Sequence, residues 1–142
     1  MAGPVFVDTW GWIALGHGQD PRHLEIKGFY QAVRRAARRV YTSDYVLDEV
    51  ITLLYRRASF EEATQFIKGI FGAVQIGHLI IERITSARFS AAWELRRRFH
   101  DKPKISFTDL TSFTLMQELG LTDVLTEDEH FTQVGLGLQR VP

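Results

Sequence analysis

Cysteine is absent from this sequence, and so are any long apolar run and any dominant charge. The lack of cysteine excludes disulfides, thiolate catalysis and cysteine-rich zinc sites, and it is compatible with a reducing cytosol. No apolar segment reaches the ~18 residues of a membrane span. The first four residues also lack the basic segment and apolar core of a signal peptide. We therefore expect a cytoplasmic protein with no membrane partner.

Neither sign of charge dominates, because 17 basic residues balance 17 acidic ones. The net charge therefore does not predict a nucleic-acid partner, and any such partner has to be attracted locally. Glycine-rich phosphate loops and a nucleophile elbow are missing as well, which disfavours P-loop enzymes, dinucleotide enzymes and serine hydrolases. The five histidines show no zinc-type spacing, and we expect His130 to act in capping or packing.

What the sequence does contain is enough for one domain, residues 1–142, because 45% of its residues are apolar. Short apolar strands alternate with helical patterns, which predicts an α/β fold with a mostly parallel sheet. The predicted strands cover residues 4–8, 40–42, 75–84, 105–107, 123–126 and 136–141. The predicted helices run from Asp8 or Thr9 through Leu15, and over 21–39, 43–57, 59–71, 86–99 and 108–119.

Acidic residues fall at or just beyond the ends of several predicted strands. Asp8 closes the first strand, Asp109 follows the strand predicted at 105–107, and Asp128 follows the strand predicted at 123–126. Glu49 projects from the helix that follows the second strand. Because ligands bind outside the carboxyl ends of strands in an open parallel sheet, we expect these four acids to share one edge.

Carboxylates gathered within ~4–6 Å repel one another, so such a cluster either holds protons or binds a cation. Ligands that offer only oxygen point to Mg²⁺ or Mn²⁺ rather than zinc. A site of this kind can hydrolyse phosphodiester bonds.

Each acid also has a simpler explanation. Asp109 can be no more than a helix N-terminal acid, and Glu49 a solvated helical glutamate. Asp128 competes with the neighbouring loop acids Glu127 and Glu129. Asp8 is harder to explain structurally, because an acid that closes a buried strand needs compensation for its charge.

Taken together, four stretches resemble the PIN domain family, most closely the VapC-type toxin ribonucleases. The stretches are Phe6 to Thr9 with Trp12, Thr42 to Glu49, Ser106 to Asp109, and Leu125 to Phe131 with Gly135. The resemblance covers almost the whole chain. One position departs from the family pattern, which often has serine two residues after the first aspartate, where this chain has Trp10.

The resemblance implies a three-layer α/β/α fold with a parallel sheet in the order 3-2-1-4-5, in which the Asp8 and Asp109 strands lie side by side. It also implies endonucleolytic cleavage of RNA that depends on Mg²⁺ or Mn²⁺. By the same resemblance, Asp8, Glu49, Asp109 and Asp128 form the catalytic set, and Asp8, Asp109 and Asp128 hold the metal. The expected partners are RNA, a cognate antitoxin and a second copy of the chain.

Residues outside the acidic set are candidates for substrate or partner contacts. We expect Thr9, Thr108 and Arg96 to contact the substrate, Arg96 as one of several basic residues at helix ends that can hold phosphates. Trp10 and Trp12 can stack on bases or serve as core or dimer contacts. The helices at 43–57 and 59–71 are expected to form an apolar groove for a partner helix. Two other functions remain open: an RNA- or protein-binding module without catalysis, and a DNA-directed nuclease.

Overall fold

A computed structural model describes residues 3–142 and shows a five-stranded, fully parallel sheet with helices on both faces. The strands lie in the order β3-β2-β1-β4-β5, which confirms the predicted order. The strands are β1 (Val5–Val7), β2 (Val40–Ser43), β3 (Ile80–Glu82), β4 (Asp123–Leu125) and β5 (Gln139–Val141). The helices are α1 (Thr9–Gly16), α2 (His23–Arg35), α3 (Asp44–Arg57), α4 (Phe60–Gln75), α5 (Ser86–Arg98), α6 (Phe107–Leu119) and α7 (His130–Gln133).

Local sequence signals explain where several helices begin and end. The side chains of Ser43 and Ser59 accept backbone N–H bonds from the residues three positions later, so they cap α3 and α4. Gly120 ends α6 in the left-handed conformation, with φ of 68°, which costs glycine little. The two serines stand at the first residues of the helices predicted at 43–57 and 59–71, and Gly120 directly follows the helix predicted at 108–119.

The centre of the sheet is fully buried. Val5, Phe6 and Val7 of β1 are each at most 1% exposed, as expected for a parallel strand covered on both faces. Phe113 of α6 and Phe131 of α7 meet edge to face, with ring centroids 4.8 Å apart. Within residues 3–142, no helix combines the length and the apolar character needed to cross a bilayer.

Gly11 is required where α1 passes the end of β4. A Cβ atom at this position would lie 2.7 Å from the carbonyl oxygen of Leu125 and 2.9 Å from its side chain. Because such a contact forces the neighbouring backbone to shift, the close approach depends on glycine. The turn between β1 and α1, which carries Asp8, is thereby held against β4.

The strand predicted at residues 105–107 is wrong. Ser106 instead caps α6 by accepting a hydrogen bond from the backbone N–H of Asp109 at 3.0 Å, and Phe107 is already helical. The strand that pairs with β1 on this side is β4, with Val7 opposite Leu125. Asp109 therefore does not follow a strand, and the strand expected to lie beside that of Asp8 is replaced by β4.

Several other strands and helices were predicted with the wrong length. The strand expected over 75–84 is reduced to β3, because α4 continues through Gln75 and Gly77 has a φ of 80°. The last strand keeps only 139–141, at the sheet edge as predicted. The helix expected over 21–39 is shorter, and residues 130–133, for which no helix was predicted, form α7.

An apolar cleft of about 450 Å³ lies between α4 and the pair α1 and α2. Its walls include Leu15 of α1, Tyr30 of α2, and Phe66 and Ile70 of α4. This cleft is lined by α4, the helix expected at 59–71, opposite α2 rather than α3, and the groove expected between residues 43–57 and 59–71 stays a prediction.

Candidate active site

The four acids predicted as a catalytic set lie around one cavity of about 320 Å³ at the carboxyl edge of the sheet. Asp8 follows β1 directly, and Asp128 follows the neighbouring strand β4 by three residues. Glu49 reaches the cavity from α3, and Asp109 reaches it from the first turn of α6. Residues far apart in the sequence thus come together at a sheet edge where ligands commonly bind.

Asp8 is only 4% exposed, and its carboxylate accepts a side-chain hydrogen bond from the neighbouring strand segment. The hydroxyl of Thr126 donates to its Oδ2 at 2.8 Å, whereas its Oδ1 is buried with no hydrogen-bond partner among residues 3–142. Asp8 occupies the N-cap position of α1, but its side chain makes no capping bond. Burial raises the pKa of Asp8 to about 7, against the opposing effect of the Thr126 hydrogen bond.

Asp109 is 7% exposed and has the most strongly perturbed carboxyl group of the cavity. Burial raises its pKa to about 9, and the negative charges of Asp8 and Asp128 add to the effect. The N-terminal position on α6 favours the ionised form, but it does not offset these larger contributions. The two raised pKa values indicate that, among residues 3–142, no positive charge lies close enough to Asp8 and Asp109 to offset their burial.

Asp128 and His130 are positioned by the turn that leads into α7. The backbone N–H of Asp128 donates to the Thr126 hydroxyl at 3.0 Å, and the backbone N–H of His130 donates to Asp128 Oδ1 at 2.8 Å. The imidazole Nδ1 of His130 lies 3.1 Å from that same oxygen and 3.9 Å from Asp109 Oδ2. Thr126 therefore links Asp8 to the segment that presents Asp128.

Glu49 is half-buried and is oriented by Thr9. The Thr9 hydroxyl donates to Glu49 Oε1 at 2.8 Å, so this predicted substrate contact is engaged with a member of the acidic set. Asp48, the preceding acid on the same helix, is exposed. Of these two neighbouring acids, Glu49 lines the cavity and Asp48 faces solvent.

The other predicted substrate contacts are placed outside the cavity lining. Arg96 donates to the carbonyl oxygens of Phe99, Lys102 and Ile105, each at 2.7 Å, and so holds together the loop between α5 and α6. Thr108 does not line the cavity. The prediction that Arg96 and Thr108 contact substrate therefore stays a prediction.

Two basic side chains and one tryptophan do line the cavity: Arg57, Lys104 and Trp10. Arg22 lies over the Trp10 ring, with its guanidinium carbon 5.2 Å from the ring centroid. Trp12 is instead 3% exposed and donates its indole N–H to Thr42 at 3.0 Å, which makes it a core residue. The two tryptophans considered together from the sequence thus have different roles.

The arrangement fits a divalent cation. Asp8 has one buried oxygen with no hydrogen-bond partner in the described chain from residue 3 onward, and Asp109 and Asp128 supply further carboxylates in the same cavity. A bound cation would replace the protons that Asp8 and Asp109 otherwise hold. One atom each from Asp109, Asp128 and His130 lies within 4.8 Å of the other two, and Asp8 lies outside that tighter group.

Comparison with known proteins identifies the family. The sequence model of the PIN domain matches residues 5–136. The chain belongs to the PIN domain family. It is 33% identical over 132 residues to the 23S rRNA-specific endonuclease VapC20 of Mycobacterium tuberculosis, in the strains CDC 1551 and H37Rv, and the match covers 92% of this chain and 94% of the relative.

Two solved structures are similar to this PIN domain. The crystal structure of M. tuberculosis VapC20, described as a Sarcin-Ricin loop cleaving toxin, has a TM-score of 0.76 at 33% identity and covers 92% of this chain and 95% of its own. VapBC2 from Rickettsia felis, bound to a DNA fragment from its promoter, has a TM-score of 0.70 at 14% identity, with coverage of 96% and 97%. The second match supports the PIN fold alone.

Residues that sequence reasoning missed in this PIN domain are His130 and Thr126. His130 was expected only to cap or pack, yet its ring nitrogen lies in the acidic cluster. The sequence did offer one signal: His130 lies two residues after Asp128, and a tight turn between them brings the two side chains close together. Thr126 carried no signal of its own, because its role depends on β1 and β4 being neighbours.

Proposed function

We propose that this PIN domain is a metal-dependent endoribonuclease that hydrolyses phosphodiester bonds in structured RNA, and that it acts as the toxin of a toxin–antitoxin pair. The observation that carries the proposal is the cavity in which Asp8, Glu49, Asp109 and Asp128 converge with two strongly raised pKa values. The similarity to an rRNA-specific endonuclease over 92% of the chain supports the choice of RNA. We place its action in the cytoplasm, where such an RNA is found.

The acids have separate roles in this proposal. Asp8, Asp109 and Asp128 hold Mg²⁺ or Mn²⁺, and Glu49 completes the site. The bound ion supplies positive charge that stabilises the negative charge developing on a phosphate during hydrolysis. The chain itself fixes the ligands in advance, since Thr126 holds Asp8 and Thr9 holds Glu49.

Arg57 and Lys104 flank the acids and provide the local attraction for RNA that the net charge does not. Both side chains line the cavity and belong to exposed residues, which leaves them accessible to a phosphate backbone. Phosphate contacts of this kind position the substrate without reading its sequence. The cleaved bond is then selected by the shape of the RNA and by contacts to its bases.

The experiment that tests the activity compares nucleic acids side by side. The purified chain is incubated with an RNA hairpin containing a sarcin–ricin loop, with the DNA hairpin of the same sequence, and with an unstructured RNA, in Mg²⁺, Mn²⁺ or EDTA. We expect cleavage of the RNA hairpin only when a metal is present. Preferential DNA cleavage would identify a DNA-directed nuclease, and binding without cleavage would identify a non-catalytic module.

The cleft between α2 and α4 is the proposed binding site for the antitoxin. Its walls are mainly apolar and its volume is about 450 Å³, which suits the apolar face of an amphipathic helix. A neighbouring reading frame encoding a small DNA-binding protein with such a segment would support this partner. Substituting Phe66 in the cleft by Glu should then abolish co-purification of the two proteins while RNA cleavage is retained.

A homodimer is also proposed. Phe89 and Trp93 lie one turn apart on α5 and are 47% and 54% exposed, so an apolar surface remains available on this helix. Light scattering across a hundredfold range of protein concentration tests the dimer. A chain that stays monomeric at the highest concentration would contradict it.

A further inference from the structure

His130 directs a buried nitrogen into the acidic cluster without a hydrogen bond to explain it. Its Nδ1 atom has no hydrogen-bond partner in the part of the chain from residue 3 to 142. It nevertheless lies 3.1 Å from Asp128 Oδ1. That oxygen already accepts the backbone N–H of His130 at 2.8 Å, so the ring is not needed to satisfy it.

The nitrogen lies close enough to two carboxylate oxygens for all three atoms to bind a single ion. Ligands about 2.1 Å from an octahedral ion lie about 3.0 Å apart when adjacent and about 4.2 Å apart when opposite. The distance from His130 Nδ1 to Asp128 Oδ1 is 3.1 Å, the spacing of adjacent ligands, and the distance to Asp109 Oδ2 is 3.9 Å, between the adjacent and the opposite spacing. An independent feature of the same cavity is the buried Asp8 Oδ1, which also has no hydrogen-bond partner among the residues that the structure describes.

We infer that His130 is a direct ligand of the active-site metal through Nδ1 and that it makes the site prefer Mn²⁺ to Mg²⁺. This inference rests on the proposed metal-dependent function and specifies the ion. Mg²⁺ favours an all-oxygen shell, whereas an imidazole nitrogen binds first-row transition ions more favourably. The three carboxylates alone give no reason for that preference, and His130 supplies one.

The position of His130 supports a ligand held in advance rather than one recruited from solvent. Its backbone N–H is fixed to Asp128, and its side chain is 27% exposed at the start of α7. Phe131, the next residue, is fully buried against Phe113 and anchors the turn. The ring is therefore presented by a segment attached to the core.

The test uses the full chain and binding of Mn²⁺ or Mg²⁺ in the absence of RNA. Calorimetry gives the affinity for each ion, and pulsed electron paramagnetic resonance of bound Mn²⁺ detects a coordinated imidazole nitrogen. We compare the wild type with His130→Ala, with His130→Asn, which offers an amide oxygen near the Nδ1 position, and with His100→Ala as the control at an exposed histidine. Circular dichroism verifies that each variant is folded.

The inference predicts a nitrogen signal in the wild type and His100→Ala that is absent from both His130 variants. It also predicts that His130→Ala weakens Mn²⁺ binding at least about 10-fold. His130→Asn should keep Mg²⁺ affinity and lose most of the preference for Mn²⁺. Mn²⁺ binding without a nitrogen signal in the wild type, with RNA cleavage intact, would overturn this inference alone. If the wild type binds neither ion, the proposed function fails with it.

Discussion

In metal-free buffer, the folded chain should lose stability as the pH rises from about 5 to about 9. Asp8 and Asp109 have folded-state pKa values of about 7 and about 9, against 3.8 as their ordinary value. In this range the folded state binds more protons than the unfolded chain, so the free energy of unfolding falls as the pH rises. For each acid, the free energy of unfolding begins to fall above the ordinary pKa and stops falling at the pKa that the acid has in the folded state.

The slope sets the size of the effect. Each acid that holds a proton only in the folded state lowers the free energy of unfolding by about 1.4 kcal/mol per pH unit. Between pH 5 and 7 both acids contribute, which gives a slope of up to about 2.7 kcal/mol per pH unit. Between pH 7 and 9 only Asp109 contributes, and the slope falls to about 1.4 kcal/mol per pH unit.

The assay is urea unfolding in EDTA at several pH values, repeated with saturating Mn²⁺. Asp109→Asn should flatten the profile by about 1.4 kcal/mol per pH unit and should be more stable than the wild type above pH 7. Asp48→Asn, at an exposed acid of α3, is the control and should follow the wild type. Saturating Mn²⁺ should remove most of the slope. Parallel profiles for the wild type and Asp109→Asn in EDTA would refute the reasoning.

Three further changes test the supports of the site. Gly11→Ala should lower the melting temperature, because its Cβ would clash with Leu125 at a cost of about 1–3 kcal/mol. The control is Gly28→Ala on α2, where a Cβ meets no described atom within 4 Å. This variant should be neutral or slightly stabilising. Thr126→Val removes the hydrogen bond to Asp8 and should weaken Mn²⁺ binding by about 10–100-fold in calorimetry; unchanged affinity would contradict that role. Arg57→Ala should raise KM for RNA and reduce the dependence of binding on the logarithm of salt concentration by about one, and an unchanged salt dependence would exclude a phosphate contact.

Several elements around the site were predictable because their signals are local. A short apolar strand ending on an acid, serine at helix starts and glycine at a helix end each fix the chain within a few residues. Ser43 and Gly120 do so through bonds to their own helices. These signals survive in the folded protein because tertiary packing does not compete with them.

The strand assigned to 105–107 shows where local signals fail. Ile105 and Phe107 have high strand propensity, but the hydroxyl of Ser106 satisfies a backbone N–H of α6 and commits the segment to a helix start. Asp109 still reaches the cavity, because the first turn of α6 faces the same edge of the sheet. The predicted location of this acid was right for a different structural reason.

Contacts between residues that are distant in the sequence could not be predicted from the sequence. Arg96 carries the same charge as the arginines beside it, yet three backbone carbonyls bind it. Thr126 and His130 become part of the site only once β1 and β4 are paired and α7 is formed. Their contribution depends on the tertiary structure, which no pattern of spacing in one sequence determines.

The central claim, that buried carboxylates hold a metal for RNA hydrolysis, is tested most directly by single-turnover cleavage of an RNA hairpin by Asp109→Asn. The wild type and Asp48→Asn should cleave in Mn²⁺ and stop in EDTA. Asp109→Asn should be folded, should lose Mn²⁺ binding, and should cleave at least about 100-fold more slowly. Cleavage by Asp109→Asn at the wild-type rate, or cleavage by the wild type in EDTA, would contradict the account.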